Sequence, residues 1–248
     1  MAVRFISRRS EAIDTTQATG EVIFIALAVS WIVTYFYNPD IIESNPLKDR
    51  LGYNNPCVGW DEPPSLYIAA FMLQAAVLFA CRYCVLDLVR AQRKRASGEI
   101  SSGVFKILRL AHVLYILGMF LLPMIFIVTP TVSPEWHTSA YGTIILFRFI
   151  VVASNFIENR DENISKAKWA FIYIYGVVSI VLMACLFINF YYYKGNEEAY
   201  ARDERPIPTK IGMFVDYSWF VCLALTGKFL PTCYVLQITY KNIPTDKK

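Results

Sequence analysis

Apolar residues are grouped along this chain into six stretches that alternate with more polar connections. A helix crosses a bilayer core of about 30 Å with roughly 20 apolar residues. The first stretch is short by this measure, although Tyr35 and Tyr37 can extend it into the interface, where aromatic side chains are enriched. The pattern therefore predicts six transmembrane helices, at residues 22–37, 66–89, 104–129, 137–157, 169–192 and 211–239.

The composition agrees with a membrane location. Apolar residues make up 56% of the chain and charged residues 18%, where roughly 25% charged residues are usual in a globular domain. The six stretches use more than half of the chain, so we expect one transmembrane domain over residues 1–248. Residues 1–20 are polar and no small-residue cleavage site follows them, so the first stretch is expected to act as a signal anchor.

Basic residues lie mainly on alternate connections. The two tails and the even-numbered connections hold thirteen Lys and Arg residues, against six on the odd-numbered connections. The positive-inside rule then predicts that both termini are cytosolic. The largest group, Arg90–Arg95, is interpreted as a topology signal, with contact to anionic lipid headgroups as the alternative. The sequon at Asn163 falls on the cytosolic side, so we expect it to be unmodified.

The connections differ in length and in turn-forming residues. Residues 38–65 form the longest one, and its Tyr53 and Trp60 are expected to cap the outer end of the bundle. The connection at 130–136 is so short that the third and fourth helices must be antiparallel neighbours. Pro123 and Pro231 are expected to kink the third and sixth helices.

Polar side chains at membrane depth are the candidates for function, because a charge there is costly and usually faces a cavity or a partner. Glu135, His137, Asp216 and Tyr217 would lie at a similar outer depth if the fourth and sixth helices pack side by side. A carboxylate beside an imidazole supports acid–base chemistry, whereas a polar clamp between helices is the alternative. Arg148, near the middle of the fourth stretch, predicts a partner on another helix or a phosphate-bearing lipid.

Other polar groups carry less information about chemistry. Arg82, Asp87, Lys106 and Arg109 lie toward the inner ends of the second and third stretches, where ion pairing and snorkelling are expected. The sequence has no phosphate-binding loop, no nucleophile elbow and no zinc-protease motif. Only two histidines are present, which excludes a multi-histidine metal site, and we expect no metal or cofactor. The net charge of +4 reflects the topology and predicts no binding of nucleic acid.

Several short motifs resemble a known six-span family, that of the damage-regulated autophagy modulators and the post-GPI-attachment remodelling factors. The similar motifs are PPSLY at 63–67, WHTSAY at 136–141 and the Asp-Tyr pair at 216–217. The length of the chain and the order of long and short loops are also similar, with a long first outer loop and a very short second one. Arg148 and Lys228 depart from the family pattern.

The resemblance implies lipid-linked roles and marks His137 and Asp216 as lipid-site candidates. Its remodelling branch implies lipid maturation of GPI anchors in the secretory pathway, its autophagy branch implies a regulatory role in lysosomes, and a further branch implies recruitment of a phosphoinositide kinase.

The sequence therefore predicts an all-α, six-helix membrane bundle that handles lipids in the endomembrane system, in the Golgi or endoplasmic reticulum rather than the lysosome or plasma membrane. Whether it is an enzyme stays open. One alternative is a non-catalytic scaffold whose basic cytosolic face binds protein partners. Another is an accessory subunit of a larger complex, including one of the mitochondrial inner membrane.

Overall fold

The computed structural model describes residues 8–160, 163–230 and 235–238, and these residues are helical apart from two four-residue strands and the connecting turns. In chain order the elements are β1 (Arg8–Glu11), α1 (Ala12–Tyr37), α2 (Asp40–Glu43), α3 (Pro46–Leu51), α4 (Ser65–Ala96), α5 (Ser102–Leu121), α6 (Met124–Ile127), α7 (Pro134–Glu158), α8 (Lys166–Tyr193), α9 (Glu197–Ala201), α10 (Thr209–Phe229) and β2 (Val235–Ile238). A 3₁₀ helix, Pro56–Trp60, lies between α3 and α4.

Five helices are long and apolar enough to cross a membrane, which indicates an integral membrane protein. They are Thr15–Tyr37, Ser65–Ala96, Ser102–Ile127, Pro134–Glu158 and Lys166–Tyr193. These five correspond to the first five predicted stretches. The sixth, α10, is not among them, and Lys210, Asp216 and Lys228 lower the mean hydropathy of this helix.

The first membrane helix begins well before its predicted start at residue 22. Thr15, Thr16 and Thr19 are buried inside the bundle, and the Thr19 hydroxyl donates to the Thr15 carbonyl at 2.8 Å. A threonine whose hydroxyl is bonded within the bundle fits a helix at membrane depth. A hydropathy scale counts these threonines as polar, so the prediction from hydropathy placed the start of the first membrane helix too late.

Proline residues shape the third and sixth predicted helices. α5 ends at Leu121, and α6 begins after Pro123, so the predicted interruption at this proline is present. α10 ends at Phe229, and Leu230 is extended with φ −57° and ψ 137°, the conformation favoured before a proline. The predicted helix to residue 239 is therefore wrong at its end, since Val235–Ile238 forms a strand. Pro231 itself lies outside the described residues.

The six long helices form a closed ring in chain order. α1 contacts α4, α4 contacts α5, α5 contacts α7, α7 contacts α8, and α10 contacts both α8 and α1. The contact between α1 and α10 is close, because a Cβ on Gly20 would lie 2.9 Å from the carbonyl oxygen of Leu223. Small residues permit such approach between membrane helices. α5 and the following α6 run antiparallel to α7, as three successive contacts show: Ile125 of α6 with His137, Gly118 with Phe147, and Tyr115 with Arg148.

The connection between α1 and α4, which we call the cap, folds over one end of the ring. We call this end the cap end and the opposite end the tail end. Tyr53 and Trp60 are buried there, as predicted, and Trp60 packs on Phe126 with ring centroids 5.7 Å apart. At the tail end β1 pairs antiparallel with β2, with Arg8 opposite Ile238. Both ends of the described chain therefore meet at the tail end. The basic tail residues Lys241, Lys247 and Lys248 lie outside the described residues.

Candidate functional site

Asp216 is the centre of a buried hydrogen-bond cluster at the cap end. Tyr53 and Asn55 of the cap donate to its Oδ2 at 3.2 and 3.0 Å. Tyr141 of α7 donates to its Oδ1 at 3.0 Å. The carboxylate is 0% exposed, and three donors compensate for its lost hydration. The cluster thus joins the cap, α7 and α10 through one side chain.

Tyr53 and Cys57, two titratable groups of the cap-end connection, remain neutral near Asp216. Burial, together with the neighbouring Asp216, raises the pKa of Tyr53 above its ordinary value. Burial also raises the pKa of the Cys57 thiol, with Asp216 and Asp61 adding to the effect. Neither group is therefore an ionised nucleophile or base at neutral pH.

His137 does not pair with Asp216, although the two share the cap end. Its Nδ1 lies 3.1 Å from the carbonyl oxygens of both Ile125 and Val128, so Nδ1 carries the proton and donates to them. The Ile125 carbonyl lies in α6 and the Val128 carbonyl lies just after it. The helix ends here, so no following turn supplies backbone N–H groups to these carbonyls. His137 thus closes the end of α6, which is a structural role.

The second nitrogen of His137 faces a carboxylate that the sequence did not single out. Nε2 lies 3.8 Å from Oδ1 of Asp61, and Asp61 is 2% exposed. Within the described part of the chain, neither oxygen of Asp61 has a hydrogen-bond partner. Burial therefore raises the pKa of Asp61 well above its ordinary value, and the adjacent Glu62 adds to the effect.

The pocket between these groups is nearly filled. Asn55, Cys57, His137 and Tyr141 border a cavity of about 10 Å³. Roughly 10–15 Å³ of this kind of volume is needed for one water molecule. In this conformation the cap-end cluster therefore holds at most one water and has no room for a lipid headgroup. Its geometry fits the clamp interpretation better than the catalytic one.

The other two predicted outer residues lie on the surface of the ring. Glu135 forms an ion pair with Arg50, with Nη2 and Oε1 3.2 Å apart, and the Arg50 guanidinium stacks 4.3 Å above the Tyr193 ring. Tyr217 donates to the carbonyl oxygen of Asn54 at 3.2 Å. Neither residue contacts Asp216 through a hydrogen bond.

Each of these residues borders a groove that opens toward the membrane. The α7–α8 groove has a volume of about 630 Å³. Its lining is Glu135, Thr138, Ser139, Gly142, Thr143, Leu146, Phe147, Met183, Leu186, Phe187, Phe190, Tyr191 and Lys194. Its charged residues, Glu135 and Lys194, lie at the cap end. The second groove, between α1 and α10, has a volume of about 860 Å³ and is bordered by Trp31, Tyr217 and mainly apolar side chains.

Arg148 points into the ring and not into either groove. It is 1% exposed, and its Nη1 donates to Thr16 of α1 at 3.0 Å and to Tyr115 of α5 at 2.9 Å. The guanidinium carbon lies 5.3 Å from the centroid of the Tyr115 ring. The cross-helix partners expected from the sequence are therefore hydroxyl groups.

A second buried cluster lies toward the tail end, and we call it the tail-end ion cluster. Arg90 pairs with Asp87 at 3.1 Å and also with Glu158, and Lys94 lies 3.5 Å from Glu158. His112 Nε2 lies 2.9 Å from Asp87 Oδ2. Buried charges of opposite sign stabilise one another here.

This cluster changes the interpretation of two predicted groups. Arg90 and Lys94, counted from the sequence as topology signals, are members of the cluster. Of the expected inner layer, Asp87 belongs to the cluster, and Arg82, Lys106 and Arg109 are exposed. Glu158 was missed because the predicted fourth helix ended one residue before it.

Among the described residues no group of three His, Cys, Asp or Glu side chains lies close enough to hold a metal ion. Comparison of the chain with protein-family models, with curated proteins and with solved structures gave no match.

Proposed function

We propose that this chain is a multi-pass endomembrane protein that handles lipids and binds a phospholipid in the α7–α8 groove. The observation that carries the proposal is the division of this groove into an apolar body and a polar rim. Gly142, Phe147 and Met183 border the body, where an acyl chain would lie. Glu135 and Lys194 border the rim, where a headgroup would lie.

The rim has the charges that a zwitterionic headgroup needs. Lys194 is exposed and offers an ammonium group to a phosphate. The side chain of Glu135 is 42% exposed and offers a carboxylate to the amine of the headgroup, beside its ion pair with Arg50. Both charges lie at the cap end of an apolar groove. The headgroup can therefore contact the charged rim while the acyl chain lies in the apolar body.

We propose further that α10 is a sixth span, so that both termini lie in the cytosol. Two observations support an even number of crossings. β1 precedes α1 and β2 follows α10, and their pairing places both ends of the described chain together. α10 also completes the ring between α8 and α1, and the Asp216 side chain of α10 is hydrogen-bonded inside. The excess of basic residues on this side supports the cytosolic orientation.

The resemblance to the six-span family suggests a specific form of lipid handling, the remodelling of GPI-anchor lipids in the Golgi or endoplasmic reticulum. The cap-end cluster is closed, which argues against catalysis by His137 and Asp216, while the open α7–α8 groove supports binding of lipid. A deletion strain complemented with wild-type or variant chains tests this function. The readouts are the surface abundance and the anchor lipid of GPI-anchored proteins, together with the phospholipid profile of the membranes.

The outcomes of this experiment are distinct. Glu135→Gln with Lys194→Gln should fail to complement, because the rim loses both charges. His137→Gln at normal protein abundance should complement, since its role is structural. Unchanged anchor lipid and unchanged phospholipids in the deletion strain would contradict lipid handling.

A scaffold or regulator is the second candidate, favoured by the exposed basic residues at the tail end. Arg93, Arg95, Lys106 and Arg109 are exposed on α4 and α5, where they can meet an acidic protein partner. If this function is correct, Arg93→Gln with Arg95→Gln abolishes complementation and the rim variant does not. Imaging of a tagged chain separates both candidates from an accessory subunit in mitochondria.

A further inference from the structure

Arg148 lies inside the ring of helices with its positive charge uncompensated by any carboxylate. Among the described residues, no Asp or Glu forms an ion pair with it. On its own helix, Tyr141 is seven residues away, or about 10 Å along the axis, and Glu158 is ten residues away, or about 15 Å. Asp216 is bound by Tyr141, Tyr53 and Asn55 and forms no hydrogen bond with the guanidinium.

The nearby carboxylates are also committed to other partners. Asp216 accepts three hydrogen bonds at the cap end. Glu158 pairs with Arg90 and Lys94 in the tail-end ion cluster. Asp87 pairs with Arg90 and lies beside His112. None of them is left to neutralise Arg148.

Several hydrogen-bond donors around Arg148 lack an acceptor among the described residues. Its Nε and Nη2 are buried and have no partner, because only Nη1 is bonded. The buried hydroxyl of Tyr83 also lacks a partner among the described residues, and Tyr175 lies close enough to the guanidinium to interact with it. A guanidinium has N–H donors and no acceptor, and a tyrosine hydroxyl that accepts from it still has its own hydrogen to donate to a further group.

The buried N–H groups of Arg148 and its positive charge would both be stabilised by an acceptor that carries negative charge. Phospholipid phosphates lie at the membrane interface, whereas Arg148 is 1% exposed inside a closed ring, near the middle of its helix. A small inorganic anion satisfies both the charge and the enclosure. We propose that a chloride-sized monovalent anion binds at Arg148, between Tyr83 of α4 and Tyr175 of α8.

Thermal unfolding of the purified full chain in detergent tests this site. Gluconate, an organic anion much larger than chloride, is replaced stepwise by chloride or bromide at constant ionic strength. The unfolding midpoint of the wild-type chain should rise by about 5 °C and then saturate. Arg148→Met should remove this dependence, whereas Lys228→Met, which deletes an exposed cation of α10, should retain it.

Tyr175→Phe and Tyr83→Phe are measured in the same titration, so that the site can still be tested if Arg148→Met does not fold. Each removes one donor, so the chloride concentration at half-saturation should rise about tenfold. Equal midpoints in gluconate, chloride and bromide for the wild-type chain would overturn the proposal and leave water as the acceptor. Stabilisation by added phospholipid but not by chloride would assign the acceptor to a lipid phosphate and overturn it as well.

Discussion

Tyr141 donates a hydrogen bond to Asp216 across 3.0 Å, and this bond joins α7 to α10 inside the bundle. Tyr53 and Asn55 bind the other carboxylate oxygen and attach the cap to the same point. At the opposite end of α10, Gly227 packs against Gln17 of α1. α10 is therefore held at both ends, by polar contacts at the cap end and by close backbone approach at the tail end.

Asp216→Ala should destabilise the fold strongly. The substitution leaves three buried donors without an acceptor, which at about 1–3 kcal/mol each predicts a loss of at least about 3 kcal/mol. Tyr141→Phe removes one bond and should cost about 1 kcal/mol. Unfolding in mixed micelles measures both values, with Glu198→Ala as the control at an exposed carboxylate. Equal stability of Asp216→Ala and the control would contradict the assigned role.

The stability of the cap should depend on pH through Asp61. Burial raises the pKa of Asp61 in the folded chain above its unfolded value of about 3.9. Its contribution is then complete below the unfolded value and is lost as the pH rises through the folded pKa. Asp61→Asn removes this titration, so its stability should fall less between pH 4 and pH 8, as measured by unfolding midpoints. Superimposable pH profiles of the two chains would show that Asp61 does not titrate with folding.

Much of the fold follows from hydropathy, while the contacts of the site do not. The first five spans, the break at Pro123 and the burial of Tyr53 and Trp60 are all readable from the sequence. Depth along a helix does not fix the direction of a side chain, however. His137 and Tyr141 are one turn apart on α7, and it is Tyr141 that reaches Asp216.

The partners that were missed have physical reasons. His137 bonds to carbonyls at the end of α6, and a hydropathy pattern does not show which carbonyls need a donor there. Asn55 and Asp61 lie in an irregular loop without periodicity, so nothing in the sequence orients them. Arg90 was interpreted as a topology signal or a contact with anionic lipid headgroups, because its partner Glu158 is distant in the chain.

The tail-end ion cluster should behave as a coupled unit. Glu158→Ala removes one of the carboxylates that pair with the buried Arg90 and should cost about 3–5 kcal/mol. Arg90→Met combined with Glu158→Met replaces the pair with apolar groups and should recover much of this loss. A double-mutant cycle of unfolding free energies measures the coupling, with the exposed Arg93→Ala as control. Additive losses would mean that the two residues do not interact.

The topology can be tested through glycosylation. If α10 crosses the membrane and both termini are cytosolic, Asn163 stays unmodified, although its side chain is exposed. A glycan acceptor cassette inserted after the exposed Gly195 should be modified, because the α8–α10 connection would lie on the other side. Epitope tags at both termini should be digested together by protease added to sealed vesicles. A glycan on Asn163 or protection of one tag alone would contradict six spans in this orientation.

Lipid binding in the α7–α8 groove is tested most directly by native mass spectrometry of the purified chain, which counts retained phospholipids. A Cβ on Gly142 would already lie 3.3 Å from Met183, so Gly142→Phe should fill the groove. Gly103→Phe, at an open position, is the matched control. We expect the wild-type chain and Gly103→Phe to retain a phospholipid and Gly142→Phe to lose it. Equal retention by all three chains would contradict lipid binding in this groove.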